Sequence, residues 1–232
     1  MALTPQNNEA FLREVDEELR KEQATALWRR WGRIIVAAVV LGLAIFAGVL
    51  FWQHQQREAA GREGEQLQAA YDDLAAQRTE KAAAPLATLA QSDSDGYRAI
   101  ALFTQADLLL QKNDLKGAAA KFAAIAADAS LAQPFRDLAL VRQTNAEFDT
   151  IKPEAVIERL RAVAVPDNAY FGSAGELVAM AYLKQGKRDL AAKLFGQIAS
   201  GDRVPPTLRQ RAVQMAGVLG VDAVPAMQEK AK

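Results

Sequence analysis

The chain has 232 residues and a mass of 25.1 kDa, with 28 Lys and Arg balanced by 28 Asp and Glu. A formal charge of +0 supplies no basic field for nucleic acid, so no nucleic-acid partner is expected. Cys is 0 and His54 is the single histidine, which excludes disulfides, thiol nucleophiles, cysteine-bound metals and multi-histidine metal sites.

The first expected element is an arm over residues 1–33, with six cations and six acids. Thr4-Pro5 reads as an N-cap followed by proline at the first helical position. Phe11, Val15 and Leu19, with Leu12 beside them, form a narrow apolar stripe at helical spacing. Acids (Glu14, Asp16, Glu17, Glu18) and cations (Arg20, Lys21) surround it. A stripe of this kind docks on a partner or lies on a membrane surface, or else the arm is a partly frayed juxtamembrane helix. A neutral polar face favours the protein partner over the lipid one.

Residues 34–52 read IIVAAVVLGLAIFAGVLFW, nineteen positions without a charge. As a helix they extend ~28 Å, close to a hydrocarbon core of ~30 Å. Trp28, Trp31 and Trp52 are the chain's 3 tryptophans, and they bracket the run as an interfacial belt would. The run exceeds a signal-peptide core of ~7–15 residues, and no small-x-small cleavage pattern follows it. An uncleaved transmembrane helix with its juxtamembrane segment, 34–56, is therefore expected. Five cations lie in the twenty residues before it and two in the twenty after it. That bias keeps the N-terminus in the cytoplasm and puts residues 53–232 outside. Ala38/Gly42 and Ala44/Gly48 are small-xxx-small pairs that permit close approach of two such helices.

Beyond residue 57 the sequence repeats itself and is rich in alanine, a composition for closely packed helices. Ala106-x-x-Leu109, Asn113 and Ala118-x-x-x-Phe122-x-x-Ile125 recur 73 residues later as Ala179-x-x-Tyr182, Gly186 and Ala191-x-x-x-Phe195-x-x-Ile198. A shift of 36 in the other direction meets Ala70 and Ala82-x-x-x-Leu86-x-x-Leu89. A degenerate intermediate copy carries Val141, Phe148, Val156, Leu160 and Val163. The small residues permit close helix approach, and Asn113 and Gly186 tolerate a left-handed turn. Pro134, Pro153, Pro166 and Pro205-Pro206 punctuate the helices. Helices are predicted near 57–78, 80–91, 97–112, 114–128, 134–149, 153–164, 168–185, 187–200 and 206–219, with 57–91 open between a repeat pair and a rod that continues the anchor. A loose tail is predicted over 220–232. The fold class is thus all-α, one N-terminal transmembrane helix followed by a solenoid of about four helical hairpins over 57–219.

No motif carries catalysis, a metal or a cofactor. Asp93-Ser94-Asp95-Gly96 fails as a calcium loop, because its first and twelfth positions are Gln91 and Leu102. Neither glycine-rich phosphate loop occurs. His54 reads as a solvated residue at the membrane interface, and Asp72-Asp73 as acids on a helix face.

The repeated pattern resembles the tetratricopeptide repeat, a pair of antiparallel helices of ~34 residues. In that family the first helix of each unit lines a groove. By register the resemblance implies a protein-binding groove of Tyr71, Leu74, Phe103, Asp107, Leu110, Glu176, Met180 and Lys184. Leucine, methionine and aromatic members favour extended or helical protein segments as ligands. The order of the elements, with a Glu-rich stretch before Trp28-Arg29-Arg30-Trp31-Gly32, the apolar run, and Ala118/Phe122 with Ala191/Phe195, resembles the bacterial YfgM-like family. That resemblance implies an ancillary subunit of the Sec translocon in the inner membrane. Its periplasmic domain would link translocating polypeptides to periplasmic chaperones. Two other readings stay open. One is an assembly factor for envelope or division complexes with one fixed partner. The other is a signalling anchor whose arm, residues 4–27, sequesters a cytoplasmic regulator.

Overall fold

In a computed structural model, residues 5–222 are described, with side chains from Trp28 onward except Ala59. Among them are nine helices and no strand. They are α1 (Pro5–Ala75), α2 (Thr79–Leu89), α3 (Asp95–Gln111), α4 (Leu115–Ala127), α5 (Gln133–Glu147), α6 (Pro153–Leu160), α7 (Phe171–Lys184), α8 (Arg188–Ser200) and α9 (Pro206–Val218). The segment expected as a separate helix near 57–78 is the last part of α1. Thr4 and residues 223–232 lie outside the described residues, as do the side chains of the Phe11, Leu12, Val15 and Leu19 stripe.

The chain divides into two units after Gly61. In the first, every residue of 34–52 is exposed. Trp28, Trp31 and Trp52 are 61%, 46% and 66% exposed. A helix that presents apolar side chains on all sides has no polar face to offer water. Among the described residues this is the one helix long and apolar enough to cross a membrane. Just past the run, His54 Nε2 lies 3.2 Å from Glu58 Oε1, one helical turn on.

The second unit is a stack of helical hairpins with four successive cores. Ala70, Ala82, Leu86, Leu89 and Ala101 join the end of α1 to α2 and α3. Ala99, Phe103, Ala106, Ala118, Phe122, Ile125 and Ala139 join α3, α4 and α5. Val141, Val156, Leu160, Ala174, Val178 and Ala181 join α5, α6 and α7. Phe171, Ala179, Ala191, Phe195, Ile198, Ala212 and Ala216 join α7, α8 and α9. Each core spans neighbouring units only, which is the packing logic of a solenoid. Alanines such as Ala82, Ala106, Ala118, Ala179 and Ala191 are fully buried. With only a methyl group between backbones, helices approach closely and the phenyl rings of Phe122 and Phe195 fill the space beyond.

The turns repeat as well. Asn113 has φ 58° and Gly186 φ 72°, the left-handed geometry that their residue types suggest. Gln77 (φ 61°) and Gly220 (φ 88°) adopt it too. At each of these four positions the next backbone N–H reaches back five residues. Arg78 donates to the Asp73 carbonyl, Asp114 to Leu109, Lys187 to Tyr182 and Val221 to Ala216. This satisfies carbonyls that a helix end leaves without partners. The degenerate unit lacks a left-handed turn; α5 ends instead with Ile151 donating to the Glu147 carbonyl, and Pro153 opens α6. Its second helix stops at Leu160 rather than at 164. A short segment then leads to Asn168, whose side chain caps the approach to α7 by accepting from the Tyr170 N–H at 2.8 Å.

Candidate functional site

The first helices of the units are the end of α1 and then α3, α5, α7 and α9. Their surface carries most of the residues expected to form a groove, and neighbouring helices are tied together along it. Asp107 on α3 meets Arg142 on α5, with Nη2 2.6 Å from Oδ1 and Nη1 donating to Oδ2 at 3.2 Å. The same guanidinium lies 5.1 Å above the centre of the Phe122 ring. Glu176 on α7 meets Arg211 on α9, where Nε donates to Oε1 at 2.7 Å and Nη2 to Oε2 at 2.5 Å. The hydrogen bond and charge of Glu176 raise the Arg211 pKa further above its ordinary value, so the guanidinium stays charged.

Tyr71 on α1 lies 3.4 Å, hydroxyl to hydroxyl, from Thr104 on α3. Lys184 at the end of α7 donates to the Phe148 carbonyl at 3.1 Å and to Asp149 at 3.0 Å. Its ammonium sits 4.1 Å over the Phe148 ring. Each of these hydrogen bonds joins residues 33–36 positions apart, one repeat period. Four of the eight expected groove residues thus serve the contact between units. Their charges are largely matched by neighbours in the same chain.

The remaining four divide. Met180 is 36% exposed, one turn along α7 from Glu176. Leu74 and Leu110 are partly buried against the cores. Phe103 is only 9% exposed and packs 5.9 Å from the Phe122 ring, so it belongs to the core. Among the accessible apolar positions on these helices are Tyr71 at 40%, Ile100 at 37% and Met180 at 36%. Ile100, Thr104 and Asp107 share one stripe of α3 by helical spacing. The surface therefore alternates apolar patches with neutralised ion pairs, a texture suited to laying down a polypeptide.

Among the described residues no group of three or more His, Asp or Glu is placed to hold a metal ion. The Asp128 carboxyl is held below its ordinary pKa. Ser130 causes this by donating from Oγ at 2.6 Å and from its backbone N–H at 2.9 Å. Tyr170 is shifted up by burial and by the charge of Asp137, which keeps its phenol neutral. Neither lies in a constellation for acid–base chemistry.

A family model for the tetratricopeptide repeat-like domain matches residues 25–215. The chain belongs to that family. No curated protein and no solved structure matches it.

The match runs from before the apolar run into α9 and takes in every hairpin of the second unit. Tetratricopeptide repeat-like stacks are typically non-catalytic modules that present extended surfaces to other proteins. The partners of this chain are accordingly proteins. Sequence reasoning missed Arg142, Arg211 and Thr104. Their signal was present in the repeat itself: a step of 35 from Asp107 reaches Arg142, and the same step from Glu176 reaches Arg211.

Proposed function

We propose that this tetratricopeptide repeat-like protein is a membrane-anchored interaction scaffold, an ancillary subunit of the Sec translocon that links translocating polypeptides to periplasmic chaperones. The observation that carries the reading is the order of parts: one helix able to span a bilayer, followed by a repeat stack whose first-helix surface keeps Tyr71, Ile100 and Met180 accessible. The excess of cations before residue 34 supports a cytoplasmic N-terminus and a repeat domain in the periplasm. The resemblance to the YfgM-like family supports the inner membrane and the Sec channel. An anchor beside the channel exit raises the effective concentration of the surface for a segment that has just crossed, so weak contacts suffice.

Photo-crosslinking from Tyr71, Ile100 and Met180 in native membranes tests the reading. Channel subunits, chaperones or translocating chains should appear among the products. Recovery of a single folded envelope protein in their place would sink it.

A further inference from the structure

A second surface lies away from these residues, between α2, α3 and α4. It is a pocket of about 790 Å³ with an apolar floor that includes Leu86, Leu108 and Leu109. Lys81, Lys112 and Lys121 line it, together with Arg78 and one acid, Glu80. Arg78 is engaged by Asp73 at 2.7 Å. Among the described residues, Lys81, Lys112 and Lys121 meet no carboxylate.

Lys121 is the informative member. It is partly buried, and its ammonium donates to Gln105 Oε1 at 2.9 Å, while Gln105 Nε2 donates to the Leu86 carbonyl at 3.1 Å. The 73-residue repeat places an equivalent pocket between α6, α7 and α8. There Gln105, Leu109 and Lys121 correspond to Val178, Tyr182 and Leu194, which line that pocket, about 440 Å³ in volume, together with Arg161 and Lys193. Stacking one hairpin on the next is thus achieved with valine and leucine at positions where the α3–α4 hairpin carries glutamine and lysine. A half-buried ammonium without a counter-ion is unfavourable for the fold, and the equivalent position of the α7–α8 hairpin carries the apolar Leu194. The substitution adds positive charge to an open apolar pocket, the combination that selects a ligand carrying carboxylates beside aliphatic groups.

We infer that the α2–α3–α4 pocket binds an acidic peptide segment of a partner protein, its carboxylates facing Lys81, Lys112 and Lys121 and its aliphatic side chains lying on Leu86, Leu108 and Leu109. This deepens the scaffold reading and rests on it for the class of partner. It gives the stack a second, charge-selective surface beside the neutralised one on the first helices.

The test uses the full chain in detergent micelles with two fluorescein-labelled peptides, GLEELLEEG and its amide counterpart GLQQLLQQG, followed by fluorescence anisotropy. The acidic peptide should bind, and the glutamine peptide at least tenfold more weakly. Lys121→Leu, which installs the residue of the fourth unit, should weaken acidic-peptide binding at least tenfold while the thermal unfolding midpoint stays equal or rises. Lys112→Gln should weaken it less, because its side chain is more exposed. Equal affinity for the two peptides, or unchanged affinity in Lys121→Leu, overturns the proposal. So does an absence of peptide binding accompanied by Lys121-dependent binding of fluorescent phosphatidylglycerol, which would give the pocket to anionic lipid. Crosslinking from Tyr71, Ile100 and Met180 reads the other surface, so failure of this pocket leaves the scaffold reading standing.

Discussion

Arg142 lies 35 residues after Asp107, faces both of its carboxylate oxygens and rests its guanidinium over the Phe122 ring. One side chain therefore links two consecutive first helices and covers the core between them. Asp107 and Arg142 are each 36% exposed, so solvent screens much of their attraction. Arg142→Ala should cost about 1–2 kcal/mol, combining the pair with the lost cation–ring contact. In a double-mutant cycle with Asp107→Ala the coupling should be about 0.5–1 kcal/mol. Denaturant unfolding of the full chain in detergent measures both.

Two of the buried phenylalanines sit at equivalent places in different cores, Phe122 at 0% and Phe195 at 1% exposure. Replacing either with alanine opens a cavity and should cost about 3–5 kcal/mol. Because each unit contacts only its neighbours, the loss should be local. Hydrogen exchange in Phe122→Ala should accelerate in α3, α4 and α5 while α8 and α9 keep their protection. Uniform acceleration along the stack would contradict the nearest-neighbour picture.

Asn113 and Gly186 make the same left-handed turn 73 residues apart. A Cβ at Gly186 meets nothing within 4 Å, so the cost of Gly186→Ala is purely conformational, about 1 kcal/mol. Asn113→Gly should fall within about 0.5 kcal/mol of the parent. Asn113→Val, which puts a branched carbon in the same backbone, should lose about 1–2 kcal/mol. A set of thermal melts read by circular dichroism ranks the three.

Asp128 caps the segment between α4 and α5 by accepting two hydrogen bonds from Ser130, and they hold its folded pKa below 3.8. A depressed folded value gives stability that is full above the unfolded pKa and disappears as pH falls through the folded one. Ser130→Ala should therefore lower the unfolding midpoint at neutral pH. The gap to the parent should close as the pH falls below the ordinary carboxylate range. A gap that widens in acid would contradict this assignment.

The apolar run, the turns at Asn113 and Gly186, and the proline-marked helix starts were legible because each depends on residues close together in sequence. A charge-free stretch of nineteen, a left-handed residue or a proline imposes its geometry with little help from elsewhere. The join of 57–78 to the preceding helix was left open by the sequence, because helical spacing on both sides of residue 57 fits one continuous helix as well as two. The shortening of α6 was hidden for a related reason: Val163 and Ala164 keep the apolar pattern after the helix has ended.

The groove residues were legible as a surface but not in their roles. Helical spacing put Asp107, Glu176 and Lys184 on the first helices. Whether such a group is free for a partner depends on which side chain stands opposite, one repeat period away. The sequence by itself determined the helices, their turns and the membrane-length segment, because these follow from local sterics and from the polarity of contiguous residues. Only the tertiary structure decided that Arg142, Arg211 and Asp149 neutralise the expected site while Lys121 faces an open pocket, because ion pairing and burial are set by distances between helices that the chain order does not contain.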